Sequence, residues 1–214
     1  MKTFAPLALF LVAFQKQTMA TTAFNGASIA SLFKPPASKT DRNEKVLELL
    51  SQAKQVGQVG SMASEEERST MENLAQAVEK SSDLKPARYP LEGIHNLVYS
   101  AAPGGSSGKV GPIVGKVTQV FEDDEIFYNR VQLGPLMISL KAKREIKSNT
   151  AIKVTFLQMT ITVFGQKVMQ QELPGTSGGV WKVKFVGKIK DGNGNEKLVR
   201  VMETPSLFVL EQAL

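Results

Sequence analysis

Cysteine is absent from all 214 residues, which excludes a disulfide framework, a thiolate metal site and a thiol nucleophile. Histidine is nearly absent: His95 is the only one, so any His-based triad would rest on it. No G-x-S-x-G elbow accompanies it, and His95 reads as a surface or core-edge residue at the start of a strand rather than as a general base. Long hydrophobic runs are missing too. The apolar stretch from Phe4 to Phe14, FAPLALFLVAF, is too short to span a bilayer as a mature helix.

Charge of one sign does not dominate the chain. Lys and Arg number 26 against 20 Asp and Glu, a formal +6 that is mild and falls short of the density expected of a nucleic-acid binder. An excess of this size could favour anionic headgroups, but Lys at outward strand positions is more simply a solvated face. The acidic run Asp123-Asp124-Glu125 lacks the spaced loop of a calcium hand and is expected to form a turn; no metal site is expected. The run Gly104-Gly105-Ser106-Ser107-Gly108-Lys109-Val110 has no Ser or Thr after its Lys and no helical pattern behind it, so it is not a phosphate loop. Residues 100–111 are expected to be a flexible connection.

What is present begins with a leader. Lys2 precedes the apolar core, and small residues follow at Ala20 and Ala23, which is signal-peptide architecture over residues 1–23. Residues 24–40 are rich in Ser and Ala, carry Lys34 and Lys39 and contain no acid, the composition of a transit peptide. A segment of 41–85 should be helical. Asp41 and Glu44 have the spacing of a helix start, and Val46, Leu49, Leu50 and Ala53 fall on one helical face. After the glycines at 57 and 60, Ser64 and Glu67 form a second capping box ahead of Met71, Leu74 and Val78. Two amphipathic helices, 42–56 and 65–80, are predicted to pack against the rest of the chain. The sequence EEER at the start of the second would be repelled by anionic lipid.

Residues 86–214 are β-rich. Leu136, Ile138, Leu140 and Ala142 alternate with Met137, Ser139, Lys141 and Lys143, a strand wet on one face. Ile152, Val154 and Phe156 alternate likewise, and the parity slips near Leu157, which predicts a bulge. Strands are expected from Ile94 to Tyr99 and over 114–121, 126–133, 136–143, 151–157, 159–164, 180–189, 197–203 and 206–211. Lys190-Asp191-Gly192-Asn193-Gly194-Asn195 supplies the pairs a tight hairpin needs. Trp181, Val183 and Phe185 alternate with Lys182 and Lys184 and are read as one apolar face. The class is mainly β (α+β), with eight or so antiparallel strands closed into a barrel or folded into a sandwich behind the two helices.

The set Leu91-Glu92-Gly93, Leu97-Val98-Tyr99-Ser100, Val114-Gly115-Lys116-Val117-Thr118-Gln119-Val120-Phe121, Arg200-Val201 and Ser206-Leu207-Phe208-Val209-Leu210 resembles, in order and spacing, the plastid lipid-associated proteins or fibrillins. The resemblance covers roughly residues 43–212. It implies a lipocalin-like barrel in plastids that binds or carries small apolar molecules (prenyl quinones, carotenoids, acyl lipids) at thylakoids or plastoglobules, without catalysis and without a cofactor. The junction Ala23-Phe24 resembles the bipartite presequence of complex plastids.

The residues expected to contact such a lipid or isoprenoid are Leu136, Ile138, Leu140, Phe156, Trp181 and Phe185, with Arg200 as the polar candidate. Arg200 shares a strand face with Leu198 and Met202. It either lies inside, gripping a headgroup or a carboxylate partner, or turns outward with its stem on the surface. Arg130 is expected outward, and Glu122 to Glu125 and Asn129 are read as turn and rim. A filled interior would instead fit a protein that coats lipid globules. No paired acid and base or nucleophile set supports an enzyme.

Overall fold

The structure is a computed structural model that describes residues 39–213. The proposed signal segment 1–23, and all but the last two positions of 24–40, lie outside those residues. Helix α1 is Lys39–Val56 and α2 is Glu65–Lys80. Asp41 lies within the first turn of α1 rather than at its cap, where its carboxylate suits the positive end of the helix dipole and pairs with Lys45 at 2.7 Å. The Ser64 box forms as expected: the Ser64 hydroxyl accepts from the Glu67 N–H, and the Glu67 carboxylate accepts from the Ser64 N–H at 2.7 Å.

Eleven strands follow. They are β1 Gly93–Ser100, β2 Lys109–Val110, β3 Ile113–Val114, β4 Lys116–Phe121, β5 Ile126–Leu133, β6 Leu136–Ile146, β7 Ala151–Val163, β8 Gln166–Glu172, β9 Gly178–Lys190, β10 Glu196–Glu203 and β11 Leu207–Gln212. Strands β1, β4, β5, β6, β7, β9, β10 and β11 pair antiparallel in that circular order, with β11 returning to β1, so the sheet is a closed barrel. Closure removes the exposed edges from these eight strands, and β8 remains as an edge strand. The first part of β7 pairs with β9, while its second part runs past the barrel and pairs with β8.

Residues expected as two strands, 151–157 and 159–164, are thus one strand. It carries a bulge where parity slipped: Lys141 faces Gln158 and Ala142 faces Phe156, which leaves Leu157 as the extra residue. The turn at 190–196 is the expected hairpin, with Gly194 at φ 82° and the Asp191 carboxylate accepting from the N–H groups of Asn193 and Asn195.

Two cores sit on opposite sides of the barrel wall. Inside are Leu97, Val117, Phe121, Phe127, Val131, Ala142, Ile152, Val154, Trp181, Val183, Val186, Leu198, Met202 and Leu210. Outside, α1 and α2 cover the wall of β1, β11, β10 and β9 and bury Leu49, Met71, Val78, Tyr99, Phe185, Ile189, Val199, Val201 and Val209. Each large apolar side chain so buried contributes roughly 1.5–3 kcal/mol. This is the packing of helices on barrel that the amphipathic faces predicted.

Bulges let single strands serve both cores. In β1 the register skips Val98, so Leu97 points inward and Tyr99 outward. In β9 Met202 faces Val183 and Val201 faces Phe185, which leaves Lys184 extra. Trp181 and Val183 therefore belong to the interior while Phe185 turns to the helices, correcting the single apolar face read from their alternation. The displaced Lys184 is 8% exposed and donates to Glu79 at 2.9 Å and lies 3.1 Å from Glu203. Burial alone would lower its ammonium pKa, but the bonds to Glu79 and Glu203 outweigh it and raise it.

Candidate functional site

A cavity of about 60 Å³ lies inside the barrel and opens at one end. Its wall is apolar: Leu97, Val117, Val131, Leu140, Phe156, Trp181, Phe208 and Leu210. Gln119, Asn129 and Met202 add to its lining, and Gly105, Ser106 and Thr204 complete it from the loops after β1 and β10. Strand parity explains the set: Val117, Gln119 and Phe121 share one face of β4, and Phe127, Asn129 and Val131 one face of β5.

The connection expected to be flexible is a built part of this end. Residues Gly104–Ser107 form a 3₁₀ turn in which Gly105 and Ser107 are buried. The Gln58 side-chain amide ties it down, donating to the carbonyls of Ser107 and Gly115 at 2.8 Å each. Gly108 ends the turn at φ 83°, and a Cβ there would collide with the Gly115 carbonyl oxygen. Gly108 thus serves a close backbone approach.

Of the expected contact residues, Leu140, Phe156 and Trp181 meet in the cavity wall. Leu136 and Ile138 do not line it; they pack with Met159, Ile161 and Met169 on the sheet extension where β7 pairs with β8. Phe185 faces the helices for the reason given above. Arg130 is outward and half-exposed, its guanidinium 5.4 Å from the Tyr128 ring centroid. Asn129, read as rim, lines the cavity instead, because it lies between two inward residues of β5.

Arg200 lies inside, in contact with two residues of the cavity lining, Gln119 and Met202, and is 2% exposed. Its Nη1 donates to Gln119 Oε1 at 2.8 Å, Nη2 lies 3.1 Å from the Met202 sulfur, and the guanidinium sits 4.7 Å from the Phe121 ring centroid. Its Nε has no partner. Among the described residues no Asp or Glu is buried, so this cation has no carboxylate beside it. Burial lowers its pKa to about 9, with the charge of Arg144 adding to the effect, and it remains a cation at neutral pH. Arg144, 5% exposed, donates to the Asp124 carbonyl at 3.1 Å and lies 3.9 Å from the Asp124 carboxylate.

His95 is fully buried, not at a surface or edge. Its Nε2 lies 3.2 Å from the Glu92 carbonyl and its Nδ1 has no partner. It meets Phe121 edge to face at 5.4 Å, the start of an aromatic run through Phe127 and Trp181 to Phe156 at the cavity. Burial, then the charge of Arg200, depresses the imidazole to about 4 against the pull of the Glu92 carbonyl, so it is neutral at pH 7.

Asp123 is a turn residue as expected, its carboxylate accepting from the N–H groups of Glu125 and Ile126 at 2.7 and 2.6 Å. Among the described residues no group of His, Cys, Asp and Glu could hold a metal ion. No helix among them is long and apolar enough to cross a membrane. The arrangement is a greasy socket with a polar floor, suited to binding an apolar chain.

A family model described as PAP_fibrillin matches residues 44–201, well over half of the chain, from within α1 to within β10. No curated protein and no solved structure matches it.

Proposed function

Given that the chain belongs to the plastid lipid-associated protein (PAP)/fibrillin family, we propose that it is a non-catalytic plastid protein that binds or carries small apolar molecules, such as prenyl quinones, carotenoids or acyl lipids, at thylakoid or plastoglobule surfaces. The observation that carries this reading is the apolar cavity open at one end of the barrel. A void of about 60 Å³ takes only a few carbons of a chain. At about 0.8 kcal/mol per buried CH₂, four such groups contribute on the order of 3 kcal/mol, too little for tight enclosure. The ligand's remainder stays outside, which suits exchange at a lipid surface better than carriage through water.

The same small volume favours a second reading, a coat or scaffold protein of lipid globules whose interior stays filled. One titration separates them. Trp181 is the only tryptophan and lines the cavity, so its fluorescence reports occupancy. Saturable quenching by a short-chain plastoquinone analogue is expected for the carrier. Flotation with neutral-lipid emulsions without quenching, together with no co-purifying prenyl lipid, overturns the carrier and leaves the coat. For location, the first 40 residues fused to a fluorescent protein should enter the plastid, and reporter secreted from the cell would refute the plastid assignment.

A further inference from the structure

We propose that the barrel selects amphiphiles with an acidic head: the carboxylate of a long-chain acid enters first and meets Arg200 from above, taking the place of the Gln119 amide oxygen. The inference rests on the reading of the cavity as a socket for apolar chains and adds the chemistry of the head. Arg200 is a buried cation whose near neighbours are an amide oxygen, a thioether and an aromatic face, none of them charged. Its Nε is unused.

An ion taken out of water costs several kcal/mol unless a partner of opposite charge repays it, and apolar packing would serve a merely structural floor better. Two of the three side chains beside the guanidinium, Gln119 and Met202, line the cavity. A ligand that displaces Gln119 is therefore one side chain away from the charge. The Gln119 oxygen already marks where an acceptor sits, 2.8 Å from Nη1. A carboxylate is small and planar and matches the guanidinium fork with two parallel bonds, roughly doubling the strength of a neutral contact. Arg144 nearby keeps the floor positive, and no buried acid among the described residues competes. The apolar wall above then receives the chain, tail toward the mouth.

The test titrates the purified chain with palmitic acid, hexadecanol and methyl palmitate at a pH where the acid is ionised, following Trp181 fluorescence. The acid is expected to bind about tenfold or more tighter than either neutral analogue. In Gln119→Glu, which gives Arg200 a carboxylate of its own, the acid-to-alcohol affinity ratio should fall to about one, with circular dichroism showing a folded barrel. Arg200→Met should lose the ratio likewise, and because that variant risks misfolding, the Gln119→Glu result decides. Equal binding of acid and alcohol by the unaltered chain, or an unchanged ratio in Gln119→Glu, overturns the acidic-head inference while the apolar socket stands. Binding of none of the three overturns both.

Discussion

Lowering the pH should destabilise the fold through His95 before any carboxylate is affected. The imidazole stands near 4 in the folded chain against an ordinary 6.5, because burial and the Arg200 charge both oppose a second proton. The unfolded chain therefore binds a proton that the folded chain refuses between those values. Stability is complete above about pH 6.5 and falls as pH decreases, by about 1.4 kcal/mol per unit, until the folded state also protonates near 4. The whole loss is on the order of 3 kcal/mol, a large share of a typical domain's stability. No other histidine exists to confuse the window. The carboxylates held low by their partners, Glu67, Glu79, Asp123 and Asp191, begin from 4.5 or 3.8 and lose their contribution only at more acid pH. Urea unfolding followed by circular dichroism at about pH 7.5, 6.5, 5.5 and 5 measures the slope. The same series on His95→Phe, which keeps a ring against Phe121, should be flat over that range. A flat wild-type curve, or a slope that survives in His95→Phe, would refute the reasoning.

Two other perturbations follow from packing. Gly60→Ala should destabilise by about 1–3 kcal/mol, read as a lower melting temperature, because a Cβ there runs into the buried Tyr99 ring; Ser61→Ala beside it should be close to neutral. Glu79→Gln removes the carboxylate held by Lys182 at 2.6 Å and Lys184 at 2.9 Å, leaving Lys184 with Glu203 alone. With Glu79 partly exposed and partly screened, a loss of about 1 kcal/mol in urea unfolding is expected, shrinking at high salt. No change at low salt would show that the bulge holds without it.

The elements written in local periodicity were readable: the Ser64 box, the Asp191 hairpin, the alternation along β6 and the slip at Leu157. Strand β8, QKVMQQE, was not, because it lies at an edge, is exposed on both faces apart from Met169 and so has no apolar alternation. The side taken by Phe185 was hidden for a different reason. The extra residue in β9 is a lysine whose partners, Glu79 and Glu203, come from elsewhere in the chain, so nothing local marks the bulge. Of the cavity lining, Trp181, Phe156 and Leu140 are marked in the sequence by being large, apolar and alternating. Gln119 and Asn129 were missed by being polar, although their parity with Val117 and Val131 already placed them inside. The loop at 104–107 looked mobile by composition, and only the distant Gln58 reveals that it is anchored.

The extra lysine in β9 has a consequence for how the molecule comes apart. One half of that strand grips the barrel's inner filling through Trp181 and Val183, and the other grips the helical pair through Phe185 and Ile189. Uncovering the helices accordingly bares the outer face of a strand whose other half fills the barrel. Shell and lining are stitched by the same thread, and the described chain should melt as one cooperative unit with a single transition.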